Sequence, residues 1–338
     1  MLHKPKTFFT FSYKKQTRLI FLFFGFFSTA QYESKPEIIG DSIIYHLSIE
    51  KKLINHYNGN SKKTITVNGE SPAPTLFFDE GKIAVIYVTN KMKTESSIHW
   101  HGLLLPNLQD GVPYLTTPPI KPNMTYRFEF PLKQSGTYWY HSHTGLQEQE
   151  GLYGGIVIRP KQSANNYDKD LVVVLSDWSN EDASSILKNL KRHNEWYSIK
   201  RKTSQPLIPS IKKGMFKERM TLYKNRMPDM HISDIYYDAF LVNGKKEQHC
   251  QQFKPGEKVR LRMINAGAST YFRLNASDSL RVIAADGIDA VPTKIDKVLI
   301  AIAETYDFEL TVPLNGAFHL QATAQDGSQY QRQYVLRL

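Results

Sequence analysis

Four histidines in two closely spaced pairs are the residues of this 338-residue chain best suited to chemistry. His99-Trp100-His101 and His141-Ser142-His143 each hold one residue between two imidazoles, and the pairs begin forty-two positions apart. In a β-strand, residues i and i+2 point to the same face. Each pair therefore aims two rings in one direction, and two such strands side by side would gather four nitrogen donors. Imidazole suits copper, zinc, iron and nickel, so the pattern predicts a transition-metal site. Packing alone explains it poorly, because polar rings buried without partners cost free energy. A neutral imidazole that binds a metal keeps its second nitrogen for a carbonyl or carboxylate, which would lock the ring.

Strands must position these rings, and the sequence offers them. Lys82–Val88 is rich in β-branched residues, Thr125–Phe130 alternates cleanly, and Gly136–Tyr140 runs straight into the second pair. Gly155–Arg159 closes the unit. Pro106–Pro122, rich in Pro, Gly, Asn and Asp, reads as loop. Leu171–Leu175 opens a second unit. From about residue 183 to 232 the strand pattern stops in favour of a polar, basic, partly helical insert, and strands resume at Ile235-Tyr236-Tyr237. Many short strands spaced by turns predict an all-β sandwich or barrel.

An internal repeat links the two units. Val67-Asn68-Gly69 precedes Gly81 by the same offset at which Val242-Asn243-Gly244 precedes Gly256. Gly81–Asn90 then parallels Gly256–Asn265, and Tyr126–Glu129 with Gly136 parallels Tyr306–Glu309 with Gly316. The histidines belong to the first copy alone: the place of His141 falls at Gln321, and no His-X-His follows Asn265.

Composition bounds the alternatives. An apolar fraction of 41% is that of a globular chain, and 338 residues can build two cores. The single cysteine, Cys250, excludes an intrachain disulfide and a multi-thiolate zinc site. Five of the eleven net positive charges lie in residues 1–30, and many of the other Lys and Arg fall in the insert. A solvated basic face is therefore favoured over nucleic-acid binding. Residues 1–30 read as a secretory signal: a basic stretch to Arg18, the apolar run Leu19–Phe27, then small Ser28-Thr29-Ala30 before Gln31. That run is far short of the roughly 20 residues a membrane-spanning helix needs. No membrane association is expected once the signal is cleaved, and export to the periplasm is expected.

These motifs carry a resemblance. His99-Trp100-His101-Gly102, Asp110-Gly111-Val112-Pro113, Tyr138–His143 and Gly154–Ile158 resemble the first cupredoxin domain of multicopper oxidases. Leu175–Trp178, Val242–Lys245, Arg262–Ala266, Ala284–Gly287 and Ile302–Asp307 resemble the second. The form is similar to the copper-resistance protein A branch, basic insert included. The resemblance implies two tandem cupredoxin-like domains, 31–162 and 163–338, the second carrying the insert. It also implies a trinuclear copper cluster that reduces dioxygen to water. In it His99 would be a type 2 copper ligand and His101, His141 and His143 type 3 ligands. Asp110 would relay protons to reduced oxygen, which is chemically sensible because each dioxygen consumes four protons; an Asp-Gly turn is the other reading. Cu(I) or phenolic compounds would donate the electrons, in the service of copper resistance.

The sequence also departs from the family. Type 1 copper needs a cysteine, two histidines and often a methionine, which the family holds, with the other four cluster histidines, in a third cupredoxin domain. No His-Cys-His occurs here, and His249-Cys250 is followed by Gln251. The expectation is a chain lacking that third domain, with half the cluster ligands, and inactive by itself. The alternative is a non-catalytic periplasmic protein that binds or sequesters copper. Met215, Met220, Met227, Met230 and His231 lie in the insert. Thioethers favour Cu(I), and Met227, Met230 and His231 are candidate cuprous ligands, against the simpler reading of methionines packing an amphipathic helix.

Overall fold

Alternating apolar residues form strands at most places where the sequence predicts them, and the repeat predicted from offsets reappears as topology; Ile235-Tyr236-Tyr237 is the exception, because strand pairing after the insert begins only at Ala239. A computed structural model of the protein describes residues 35–57, 60–162, 167–192, 196–201, 206–224, 235–246, 253–315, 318–325 and 333–337. The first half contains β1 (Glu37–Ile39), β2 (Ser42–Tyr57), β3 (Asn60–Val67), β4 (Ala73–Asp79), β5 (Ile83–Asn90), β6 (His99–His101), β7 (Thr125–Pro131), β8 (Gly136–His141) and β9 (Tyr153–Arg159). One sheet runs β1-β2-β5-β7 with β3 on β2, and a second runs β4-β9-β8-β6. Their facing side chains, among them Tyr45, Ile86, Trp100, Phe128, Tyr140 and Ile156, form one buried core.

The second half contains β10 (Lys169–Trp178), β11 (Ala239–Val242), β12 (Lys258–Asn265), β13 (Phe272–Ala285), β14 (Ile288–Ile300), β15 (Thr305–Thr311), β16 (His319–Ala324) and β17 (Gln333–Arg337). They pair in the order β11-β10-β12-β15-β13-β16-β17, with β14 on β13. Register shifts in β13, at Asn275/Leu280 and Val282/Ala284, let one long strand serve several neighbours. In both halves a strand has a parallel neighbour on one side and an antiparallel one on the other: β2 and β7 flank β5, as β10 and β15 flank β12.

Two asparagine devices recur with the repeat. Asn68 and Asn243 both adopt left-handed backbone, at φ 52° and 48°. Each accepts a main-chain N–H bond, from Ser48 or Val174, and donates to a carbonyl two residues earlier, of His46 or Val172. Asn90 and Asn265, both fully buried, close the ends of β5 and β12. Their amides donate to nearby carbonyls, while their side-chain oxygens accept from the N–H of Met92 or Gly267, two residues on. Buried polar groups are tolerable because each is satisfied.

The insert supplies helices α1 (Ala183–Lys191), α2 (Trp196–Lys200), α3 (Leu207–Lys212) and α4 (Phe216–Lys224). On α1, Ala183 and Ile186 are buried and Leu190 packs against the second-half core, the spacing of one helical face. Glu181 ties α2 down by accepting bonds from Trp196 Nε1, Tyr197 Oη and Lys200 Nζ. Met215 is exposed and Met220 half-buried. Met227, Met230 and His231 lie outside the described residues, as do His249, Cys250 and residues 1–30. Among the described residues no helix is long and apolar enough to cross a membrane.

The halves meet across β8. Tyr138 and Tyr140 point into the first core, whereas Trp139 joins Tyr153, Val157, Val172, Val174, Ile264 and Ala266 in a separate buried cluster contributed by both halves. Beside it, Thr137 Oγ1 donates to Asp307 Oδ1 at 2.6 Å and accepts from Arg262 at 2.9 Å. Arg262 also forks onto Asp170 at 2.7 and 2.8 Å and contacts Asp307 at 3.1 Å.

Candidate metal centre

The candidate centre is built on the β6–β8 pair. Their antiparallel register sets His99 opposite His141, Trp100 opposite Tyr140 and His101 opposite Trp139. Alternation then divides the residues between two faces. Trp100 turns inward, edge-on to Phe128 with centroids 5.2 Å apart, and anchors the short strand. His99, His101, His141 and Trp139 share the opposite face as a square of rings. Trp139 stacks on His141 at 4.1 Å and 13°, and lies 5.1 Å from His101.

Nitrogens of His99, His101 and His141 all lie within 4.8 Å of one another. His143 stands outside that group. β8 ends at His141, so the second pair straddles a strand end rather than lying within a strand. The His143 ring still approaches, with centroids 4.8 Å from His99 and 4.7 Å from His141.

His99 and His141 each have an identifiable partner at Nδ1. His99 Nδ1 lies 2.8 Å from the Asp110 carbonyl and 3.4 Å from Asp110 Oδ1. His141 Nδ1 lies 2.7 Å from Glu148 Oε2, and its Nε2 faces His101 Nδ1 at 3.3 Å. Asp110 is held by a tight turn. Gly111 has φ +87°, and a Cβ there would sit 1.7 Å from the Ile98 carbonyl oxygen, so only glycine lets the loop press against the start of β6. Thr117 Oγ1 accepts from the Gly111 N–H, and Thr116 Oγ1 reaches Asp110 Oδ2 at 3.3 Å.

A buried polar web ties the segment before β6 to the turns after β8. Gln147 Oε1 accepts from Ser96 and Ser142 hydroxyls at 2.6 and 2.9 Å, and its amide donates to the Glu95 carbonyl. Ser97 Oγ accepts from the His143 N–H and from Thr144 Oγ1. Trp139, Gln147 and Glu148 were not singled out by sequence. Their only prior signal is position: Trp139 two residues before His141, the others just beyond His143.

The electrostatics suit a metal. Burial pushes the His101 imidazolium down to about 4, helped by the neighbouring His141 and His99. Burial also lowers His99 and His143 from the ordinary histidine value. These rings are therefore neutral donors at neutral pH, as metal binding requires. Two nitrogens about 2 Å from one ion at a tetrahedral angle stand roughly 3.3 Å apart. The His101–His141 pair has that spacing, and borderline-soft imidazoles fit copper.

A β-sandwich repeat with imidazoles gathered at one strand pair of its first copy is the architecture of cupredoxin-fold copper proteins. Multicopper oxidase family models match residues 48–163 and 169–335. The chain is 37% identical over 298 residues to copper resistance protein A of Escherichia coli, covering 85% of this chain and 49% of that one. It is 31% identical to multicopper oxidase MmcO of Mycobacterium tuberculosis, covering 78% and 50%. Among solved structures, the laccase of Botrytis aclada superposes with a TM-score of 0.66 at 27% identity, over 88% of this chain and 52% of that one. The iron-import multicopper oxidase Fet3p gives 0.68 at 22% identity, a likeness of fold, over 87% and 51%. The chain belongs to the multicopper oxidase family, and within it to the copper-resistance protein A type. Copper is the cofactor this membership implies. The chain spans about half the length of the curated relatives it matches.

Proposed function

We propose that His99, His101, His141 and His143 form the first-half wall of a trinuclear copper centre, His99 as a type 2 ligand and the other three as type 3 ligands. The observation that carries this reading is the convergence of three imidazole nitrogens within 4.8 Å on neighbouring strands. Copper held there would pass the donor's electrons to dioxygen, which is reduced to water. The protein around it orients the donors, keeps His99, His101 and His143 neutral and manages protons. Asp110 Oδ1, 3.4 Å from His99 Nδ1, is the carboxylate positioned to hold and release a proton. Electrons come from Cu(I) or phenolic substrates, and the physiological service is copper resistance in the periplasm after export by residues 1–30. Residues 31–162 and 163–338 act as the two cupredoxin-like domains, and a further ligand-bearing domain completes the cluster and its electron-accepting copper.

These residues by themselves therefore hold copper without four-electron turnover. The test is copper stoichiometry and oxygen uptake with a phenolic substrate. Copper lost on replacing His99 and His101 with alanine, with uptake at background, is the expected result. Undiminished copper in that double variant would overturn the ligand assignment. Measurable turnover by the 338 residues would overturn the dependence on further ligands.

A further inference from the structure

His141 is held in a way that His99 is not. The short bond of His99 Nδ1 goes to a backbone carbonyl, whereas His141 Nδ1 meets a carboxylate oxygen of Glu148. The His141 ring is almost wholly buried, and stacking on Trp139 fixes its plane. The Glu148 contact fixes which edge of that plane points inward. Glu148 is itself set in place by the turns after His143: the Gly151 N–H donates to its carbonyl, and the adjacent Gln147 is clamped to both sides of the site.

We propose that Glu148 is a positioning residue for copper, holding His141 with its Nδ1 proton outward and its Nε2 lone pair aimed at the point it shares with His101 Nδ1. The inference rests on the four-imidazole reading above and adds to it a residue outside the His-X-His pairs. A carboxylate acceptor polarises the imidazole N–H, which strengthens the opposite nitrogen as a donor, and loss of such a partner costs about 10–100-fold in metal affinity. Glu148 thereby makes the His101–His141 pair the tightest seat in this wall.

The test uses the 338-residue chain, Glu148→Gln and Glu148→Ala, with His141→Ala as reference. Cu(II) affinity is measured by chelator competition, the bound ion by electron paramagnetic resonance, and the copper-free fold by thermal unfolding. Glu148→Gln should weaken binding about tenfold and Glu148→Ala toward 100-fold. Both should shift the copper spectrum and leave copper-free unfolding near that of the parent chain. Parent-like affinity in both variants, with copper lost in His141→Ala, would overturn the role of Glu148 and leave the four-imidazole reading standing. Copper retained in His141→Ala and in the His99/His101 double variant would sink both. Weaker binding with early unfolding and an unchanged spectrum would make Glu148 merely structural, which also overturns the proposal.

Discussion

His99 and His141 are directly opposed residues of antiparallel β6 and β8. Their rings, 5.6 Å apart between centroids, are brought together by strand register rather than by either His-X-His pair. Within each pair the spacing chooses a face; between pairs the register chooses the partner. Loss of one ring from each strand should therefore be more damaging than loss of either ring singly. Single alanine replacements of His99 or His141 should each lower copper retention, and the double replacement should abolish it. Metal analysis after gel filtration checks this; full retention in the double variant would move the site elsewhere in the chain.

The turn that carries Asp110 depends on one glycine. Gly111→Ala places a Cβ against the Ile98 carbonyl and forces an L-residue to φ +87°. Left-handed backbone strain alone costs about 1–3 kcal/mol, and the clash adds to it. The variant should lose at least about 2 kcal/mol in urea unfolding and should bind copper more weakly, because the Asp110 carbonyl that orients His99 moves. Wild-type stability would show that the loop relaxes without strain.

Copper-free stability should fall as the medium is acidified. Burial depresses the folded value of His101 from the ordinary 6.5 to about 4, and His99 and His143 move in the same direction. Below 6.5 the unfolded chain takes up protons that the folded chain refuses, so the stability present above 6.5 is lost as pH falls toward 4. Replacing His101 with Gln removes one such group, and its unfolding midpoint should vary less between pH 6.5 and 4. Equal slopes for variant and parent in chemical denaturation would contradict the assignment.

Arg262 forms a buried ion pair with Asp307 inside the second half and reaches the first half through Thr137. Its side chain is 3% exposed and that of Asp307 1%. Removing Arg262 leaves Asp307 with Arg260 as its remaining cation, so the cost should stay below the about 3–5 kcal/mol of a buried charge left wholly unpaired. Arg262→Ala should show that loss in equilibrium unfolding. Because Thr137 of β8 belongs to the same network, the variant should also loosen the strand that carries His141, seen as faster amide exchange along β8.

The histidine pairs and the repeat were legible in the sequence because both are local in spacing: i and i+2 on a strand, and equal offsets between glycines. The all-β architecture followed from strand alternation where one face is buried, as on β5 and β7, and its cupredoxin-like form from the resemblance of the motifs. Alternation fails on β14, which is exposed along most of its length. Its hairpin with β13 consequently runs from Phe272 to Ile300, well beyond the short apolar runs that announce it. Glu148 was hidden for another reason. It sits in Gln147-Glu148-Gln149-Glu150, where composition describes an ordinary polar turn, and only the way the turns after His143 fold back reveals which carboxylate meets His141. Trp139 likewise reads as a core aromatic until His101 is found opposite it.

Trp139 is a wall shared by two rooms. One face of its environment is the junction cluster with Val172, Val174 and Ile264, and the other is the His141 imidazole stacked 4.1 Å away. Any shift in how the second half seats against the first must tilt this indole, and an indole stacked on a ring cannot tilt without carrying that ring along. The histidine cluster is thus mechanically geared to a half that contributes none of its nitrogens. The same indole is a natural fluorophore, so one emission signal would register both the arrival of a metal and the loosening of the joint behind it.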